Sequence, residues 1–285
     1  MDVTGFFHSA TGSIQYICID PRSKRSIIID PVLDFDRRSA QFSAESADAI
    51  VEFVRAQGLS VEWIIDTHPH ADHMSAVHYL ADCLGAPTAI GEHITQVQEI
   101  WREKYDLPGL HVDGRQWDRL LCDGDAVVFG DEKLSVMHAP GHTAASIALI
   151  GQNLAFVNDT LFMPDVGTAR ADFPGASAQD LWRTLKALLS LPEHTRLFVG
   201  HDYPPAGRDA CFETTVRAQA TNVHLCGRPE AAFIDWRESR DATLPLPDLM
   251  LLALQINLNG GRLPAADQLG RQYLKIPVTD ATKGR

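Results

Sequence analysis

Short apolar, β-branched runs recur along the chain at Ile14 to Ile19, Ser26 to Ile29, Val61 to Ile65, Thr88 to Ile90, Leu134 to Met137, Ile147 to Ile150, Ala155 to Val157 and Leu197 to Val199, and each predicts a strand. Between them apolar residues fall three and four apart, the spacing of one helical face. Ile50, Phe53 and Val54 are closed by Gly58, and Val77, Leu80 and Leu84 by Gly85. A third helix carries Leu181, Leu185, Leu188 and Leu189, with Ser177 as its cap and Pro192 as its stop. Strands with helices on either side predict an α/β sandwich in which helices cover packed sheets. We expect the folded unit to span residues 1–260, and residues 261–285, with Gly260-Gly261, two prolines and a polar end, to form an extension or tail.

Composition narrows the class. At 45% hydrophobic and 22% charged residues over 285 positions, disordered and collagen-like chains are excluded. A net charge of −12 and a pI near 5.4 disfavour nucleic acid or an anionic membrane as partner, so an anionic substrate would need local arginines. The longest apolar run, Leu249 to Leu254, is too short to cross a bilayer and reads as core or oligomer packing, with a homodimer as one expected assembly. Residues Met1 to His8 lack a basic and apolar leader pattern, so a cytoplasmic location is expected. The five cysteines include no Cys-x-x-Cys pair, which argues against disulfides or a cysteine metal site and predicts reduced, mostly buried thiols.

The histidines carry the chemistry. After the Val61 to Ile65 strand the chain reads Asp66-Thr67-His68-Pro69-His70-Ala71-Asp72-His73, a dense ligand group in a tight loop. Three more steps from strand to ligand follow: His142 after Leu134 to Met137, Asp159 after Ala155 to Val157, and His201 after Leu197 to Val199. Sheet proteins build sites from such loops along one edge, and Gly141 and Gly200 permit close backbone approach. Single histidines are usually structural, and that reading holds for His8, His78, His93, His111, His138 and His194, which lack partners by spacing. By itself the inventory also completes two Zn(II) ions: His68, His70 and His142 on one, Asp72, His73 and His201 on the other, and Asp159 bridging. Such a centre would hydrolyse a thioester, lactone or lactam. A metal-binding protein without turnover is a third class, disfavoured because every expected ligand is present.

These residues resemble the metallo-β-lactamase superfamily, which implies an αββα sandwich, two packed mixed sheets flanked by helices, with metal at the sheet edge. Further segments, Gly167-Thr168-Ala169-Arg170-Ala171-Asp172-Phe173, Gly200-His201-Asp202-Tyr203, Thr214-Thr215-Val216 with Asn222, Leu244-Pro245-Leu246-Pro247 and Asn257, are similar to the persulfide dioxygenases of the branch related to glyoxalase II. The basic-aromatic loop and helical C-terminal domain of a glyoxalase II thioesterase are not evident, so the dioxygenase ranks first. The resemblance implies one Fe(II) held by His68, His142 and Asp159, leaving one face open for a persulfide sulfur and O2. His70 would line the site, and Asp72, His73 and His201 would orient ligands and exchange hydrogen bonds. The implied substrate is glutathione persulfide or a similar small thiol persulfide, oxidised to sulfite and thiol.

For substrate binding, Arg170 suits a carboxylate, or else an ion pair with Asp165 or Asp172. Tyr203 is placed to hydrogen-bond the substrate or to pack beneath the site. One departure stands out: the resembled enzymes follow Asn with Pro and an Arg that helps bind glutathione, whereas Asn222 is followed by Val223 and His224. A neutral His224 weakens that grip, with compensation expected from Arg170 or Arg208.

Overall fold

The structure, a computed structural model, describes residues 1–278. In chain order its strands are β1 (Asp2–His8), β2 (Ser13–Ile19), β3 (Arg25–Ile29), β4 (Val32–Asp36), β5 (Gln41–Ser43), β6 (Ser60–Asp66), β7 (Met74–Ser75), β8 (Thr88–Gly91), β9 (Arg119–Leu121), β10 (Ala126–Phe129), β11 (Glu132–His138), β12 (Ile147–Ile150), β13 (Leu154–Asn158), β14 (Arg196–Val199) and β15 (Glu213–Thr215). The helices are α1 (Glu45–Ala56), α2 (Val77–Leu84), α3 (Ile94–Tyr105), α4 (Ala178–Leu189), α5 (Glu230–Asp241) and α6 (Met250–Asn257). One six-stranded sheet has the order β1-β2-β3-β6-β8-β9 and the other β10-β11-β12-β13-β14-β15, while β5-β4-β7 form a small third sheet. Both large sheets are mixed: β3, β6, β8 and β9 run parallel in the first, and β13 and β14 in the second.

Side-chain alternation explains the continuous apolar runs. In β2, Ile14, Tyr16 and Cys18 face the second sheet, while Ile17 and Ile19 face the covering helices. In β3 the same division separates Ile27 and Ile29 from Ile28. A strand covered on both faces has no position for a polar residue, so its sequence reads as unbroken hydrophobicity. The second sheet answers across the interior with Val127, Phe129, Leu134 and Val136. Outside, α1 contributes Ile50 and Val54, α2 Val77 and Leu80, and α3 Val97 and Trp101. On the far side α4 presents Leu181, Leu185 and Leu188, joined by Phe233 of α5. The layers are therefore the expected αββα sandwich. The predicted punctuation is in place: Ser177 Oγ accepts from Asp180 N at 3.2 Å, and Gly85 closes α2 at φ 66°.

All five cysteines are free, but the expectation that they are mostly buried is corrected: Cys18 is buried, whereas Cys122 and Cys226 are exposed. Those two lie on turns between elements rather than on covered strands. The Leu249 to Leu254 run enters α6, where Met250, Ala253 and Leu254 are buried. From Arg262 to Val278 the chain forms no helix or strand, and Lys275 exchanges two backbone hydrogen bonds with the Gln255 side chain, at 2.6 and 2.8 Å. The rest of the expected extension, 279–285, lies outside the described residues. Among the described residues no helix is long and apolar enough to cross a membrane.

Candidate metal centre

The ligand loops leave the same edge of both sheets. His68, His70, Asp72 and His73 follow β6 of the first sheet, whereas His142, Asp159 and His201 follow β11, β13 and β14 of the second. His68, His142 and Asp159, all buried, bring one ligand atom each to within 4.8 Å of one another. Both imidazole Nε2 atoms stand 3.8 Å from Asp159 Oδ2.

The neighbours fix which nitrogen of each ring is free. Thr67 Oγ1 donates to Asp30 Oδ2 at 2.8 Å and so accepts from His68 Nδ1 at 3.1 Å, leaving the His68 Nε2 lone pair buried and unpartnered. His142 Nδ1 donates to the Arg170 carbonyl at 2.9 Å, which likewise turns the Nε2 lone pair inward. Burial pushes the pKa of both rings down and keeps them neutral. Burial alone would raise the Asp159 carboxyl, but His201 and its hydrogen bond outweigh it and hold it well below the usual range. Two neutral imidazoles and an ionised carboxylate, with a buried nitrogen lacking any protein partner, fit a divalent metal ion.

The other four candidates are knit together. His201 donates Nδ1 to Asp159 Oδ1 at 2.6 Å and Nε2 to Asp72 Oδ2 at 2.7 Å. Burial opposes a charge on this ring, but Asp159 and Asp72 raise its pKa well above that of a free histidine. Ser13 Oγ lies 3.2 Å from Asp72, 3.1 Å from His73 and 2.9 Å from His201, at the hub of the group. His70 Nε2 is 3.0 Å from Asp30 Oδ1, while its Nδ1 and His73 Nε2 are buried without partners.

Three supports were not evident as site residues from the sequence. Ser13 opens β2 and Asp30 follows β3 at φ 50°, each far from the ligand loop along the chain. Asn257, noted only as part of a resemblance, donates to the carbonyls of His70 at 2.7 Å and His73 at 2.8 Å and accepts from Ser75 N at 2.8 Å. Helix α6 thereby shapes the ligand loop from beneath. Glycine is required at two positions, as the sequence suggested. A Cβ on Gly200 would lie 2.4 Å from Asp159 Oδ1, and one on Gly141, at φ 140°, would lie 2.3 Å from Leu181 Cα.

Beside His142 and Asp159 opens a cleft of about 230 Å³ that also meets Arg170, Tyr203 and His224. Arg170 holds Asp172 with Nε at 2.6 Å and Nη2 at 2.8 Å and gives Nη1 to the Pro245 carbonyl at 2.6 Å, so the ion-pair alternative describes its contacts here. Tyr203 stacks on His201 with ring centres 5.6 Å apart and is half exposed. His224 Nδ1 accepts from Thr168 N at 2.8 Å. Arg208 is engaged by Asp165 and the buried Asp202 and does not line this cleft. Behind the cleft Arg237 and Asp241 form a buried ion pair, in which Asp241 Oδ2 accepts from Ala171 N at 2.8 Å and Arg237 Nη1 donates to Thr168 O at 3.3 Å. That pair tethers the segment whose Arg170 carbonyl orients His142.

Two packed mixed sheets with a histidine and aspartate centre at their common edge define a metal-dependent enzyme, and a family model of the metallo-beta-lactamase superfamily matches residues 13–201. The chain belongs to that superfamily. It is 56% identical over 277 residues to the beta-lactamase hydrolase-like protein of Xylella fastidiosa, covering 97% of this chain and 64% of that relative, so it spans a little under two thirds of the relative's length. Glyoxylase B2 of Dictyostelium discoideum is 41% identical over 275 residues, 95% of this chain and 94% of its own. Among solved structures, ETHE1 from Myxococcus xanthus superposes with a TM-score of 0.74 at 26% identity, covering 92% of this chain and 100% of that one. Both of the latter fit the branch the sequence resembled.

Proposed function

We propose that the protein is a mononuclear non-haem iron dioxygenase that oxidises a small thiol persulfide. The balanced reaction is RSSH + O2 + H2O → RSH + SO3²⁻ + 2H⁺, in which the outer sulfur gives up four electrons and O2 takes them. The observation that carries this reading is the triad of His68, His142 and Asp159, two imidazoles and one carboxylate whose ligand atoms lie within 4.8 Å of one another, with His142 and Asp159 lining the cleft and His201 hydrogen-bonded to Asp159 and Asp72 beside it. Fe(II) bound there would supply redox chemistry and an open face for substrate and O2. The chain's own residues set the rest. Thr67 and the Arg170 carbonyl fix the ligand tautomers, His201 orients Asp159, and Phe162 and Phe173 exclude water from the cleft wall. The likenesses to ETHE1 and Glyoxylase B2 support this branch.

A second reading, a dinuclear zinc hydrolase of a thioester, lactone or lactam, is favoured by one observation: the unpartnered His70 Nδ1 and His73 Nε2. Metal analysis of anaerobically purified protein, combined with oxygen uptake on glutathione persulfide, separates the two. We expect one iron per chain and rapid uptake, with little cleavage of S-lactoylglutathione. Iron should be lost in H68A, H142A and D159A but largely retained in H201A, whose turnover falls. Two zinc ions and thioester hydrolysis without oxygen uptake would overturn the proposal.

A further inference from the structure

An acidic protein that binds an anionic thiol needs a nearby cation, because at physiological salt charges beyond about 8 Å are screened. The cleft is lined by three arginines, Arg170, Arg237 and Arg240. The Arg170 guanidinium is committed to Asp172 and the Pro245 carbonyl, and Arg237, 1% exposed, to Asp241 and Thr168. His224 offers no charge: burial first, then Arg237, Arg240 and Arg228, push its pKa down to about 4. Arg240, in the last turn of α5, is exposed at the cleft and makes no ion pair among the described residues. Its guanidinium lies 5.8 Å from the centre of the Trp236 ring, with Arg228 at 4.6 Å and Arg237 at 4.9 Å from the same ring. One wall of the cleft is thus locally cationic in a chain of net charge −12.

We infer that Arg240 grips the anionic end of the substrate, so that the cleft selects a persulfide carried on a small thiol bearing a carboxylate. The substrate class rests on the dioxygenase reading above, whereas the anion grip does not. An unpaired guanidinium at a cleft rim accepts a carboxylate with two parallel hydrogen bonds and need not first release an internal partner. His142 and Asp159 of the metal triad line the same cleft as Arg240, so a ligand held there by its carboxylate shares the cleft with the metal site.

The test is calorimetric titration of the purified holoprotein with glutathione and with its diethyl ester, for the parent, R240A and R240K. Arg240 is exposed on a helix, so its substitution leaves the melting temperature unchanged. We expect R240A to bind glutathione about tenfold more weakly and R240K to recover much of the loss, with the ester bound alike by all three. In oxygen uptake, R240A should raise KM for glutathione persulfide and leave kcat near the parent value, the mark of a contact remote from the reacting atoms. Glutathione affinity in R240A within twofold of the parent, or equal weakening for the diester, overturns the grip. A parent that binds glutathione through Arg240 but consumes no oxygen overturns the dioxygenase reading and leaves the grip standing.

Discussion

Replacing Arg237 by Met would leave Asp241 as a bare charge in the interior. The two side chains are 1% and 2% exposed, and Arg237 Nε donates to Asp241 Oδ2 at 3.0 Å while Nη2 reaches Oδ1. Removing one partner of a buried pair costs about 3–5 kcal/mol, because the remaining charge is neither solvated nor neutralised. In a chain of this size that corresponds to a fall in Tm of about 6–10 °C. The double substitution R237M/D241L removes both charges and leaves only Ala171 N and Thr168 O without partners, each worth about 1–3 kcal/mol. The double variant should therefore be less destabilised than the sum of the singles, by at least about 2 kcal/mol. Urea denaturation of the four proteins closes the cycle. Metal affinity provides an independent readout: the Arg170 carbonyl that orients His142 sits one residue from Ala171, and a slackened tether should weaken binding about tenfold. Additive single effects with unchanged metal affinity would refute both the coupling and the tether.

Gly200→Ala drives a Cβ to 2.4 Å from Asp159 Oδ1 and should lower metal affinity about 10–100-fold in a chelator competition; parent-like affinity would show that the carboxylate can move aside. His224 takes a proton near pH 4 when folded but near 6.5 when unfolded, so the unfolded state binds more protons between those values and stability falls as pH drops through that window. His224→Asn keeps an acceptor for Thr168 N and should flatten that fall, whereas identical urea midpoint shifts between pH 7 and 4.5 would assign it elsewhere. Asn257→Ala strands the His70 and His73 carbonyls and Ser75 N, costing about 2–4 kcal/mol by denaturant titration and weakening metal uptake; an effect on stability without one on metal would confine Asn257 to packing.

The ligands were legible because their signal is local. His68 to His73 crowd into one loop, the strands ahead of Asp159 and His201 are covered on both faces and read as apolar runs, and β11 ahead of His142 alternates buried Leu134 and Val136 with exposed Lys133 and Ser135. The groups that orient them were not. Ser13 lies 188 positions from His201 along the chain, and Asp30 lies 37 from Thr67, so no spacing joins them before folding. Helix α5 escaped for a different reason: its buried face is Phe233, Arg237 and Asp241, and a charged pair four residues apart reads as a solvated surface. The apolar pattern of β1 is broken by Gly5, which makes room for the Phe212 ring 3.2 Å from its missing Cβ, and α3 starts without a side-chain cap. Asn222 stands out in the sequence, yet its work, a hydrogen bond to the Gly167 carbonyl at 3.0 Å that shapes the turn beneath His224, joins residues 55 positions apart.

The division of the ligands between the two sheets has a consequence for how the molecule is assembled and held. One half of the sandwich supplies His68, His70, Asp72 and His73, and the other supplies His142, Asp159 and His201. The triad cannot exist on either half alone, so ion capture must follow docking of the halves. Once bound, the ion acts as a cross-brace over a seam otherwise bridged by a few backbone hydrogen bonds, from Ile14 N to the Gly200 carbonyl at 2.9 Å and from Ile147 N to the Thr67 carbonyl at 3.0 Å. Chelation should accordingly loosen the seam before it melts either layer, with amide exchange quickening first at the ends of β6, β13 and β14, where the loops from the two halves meet.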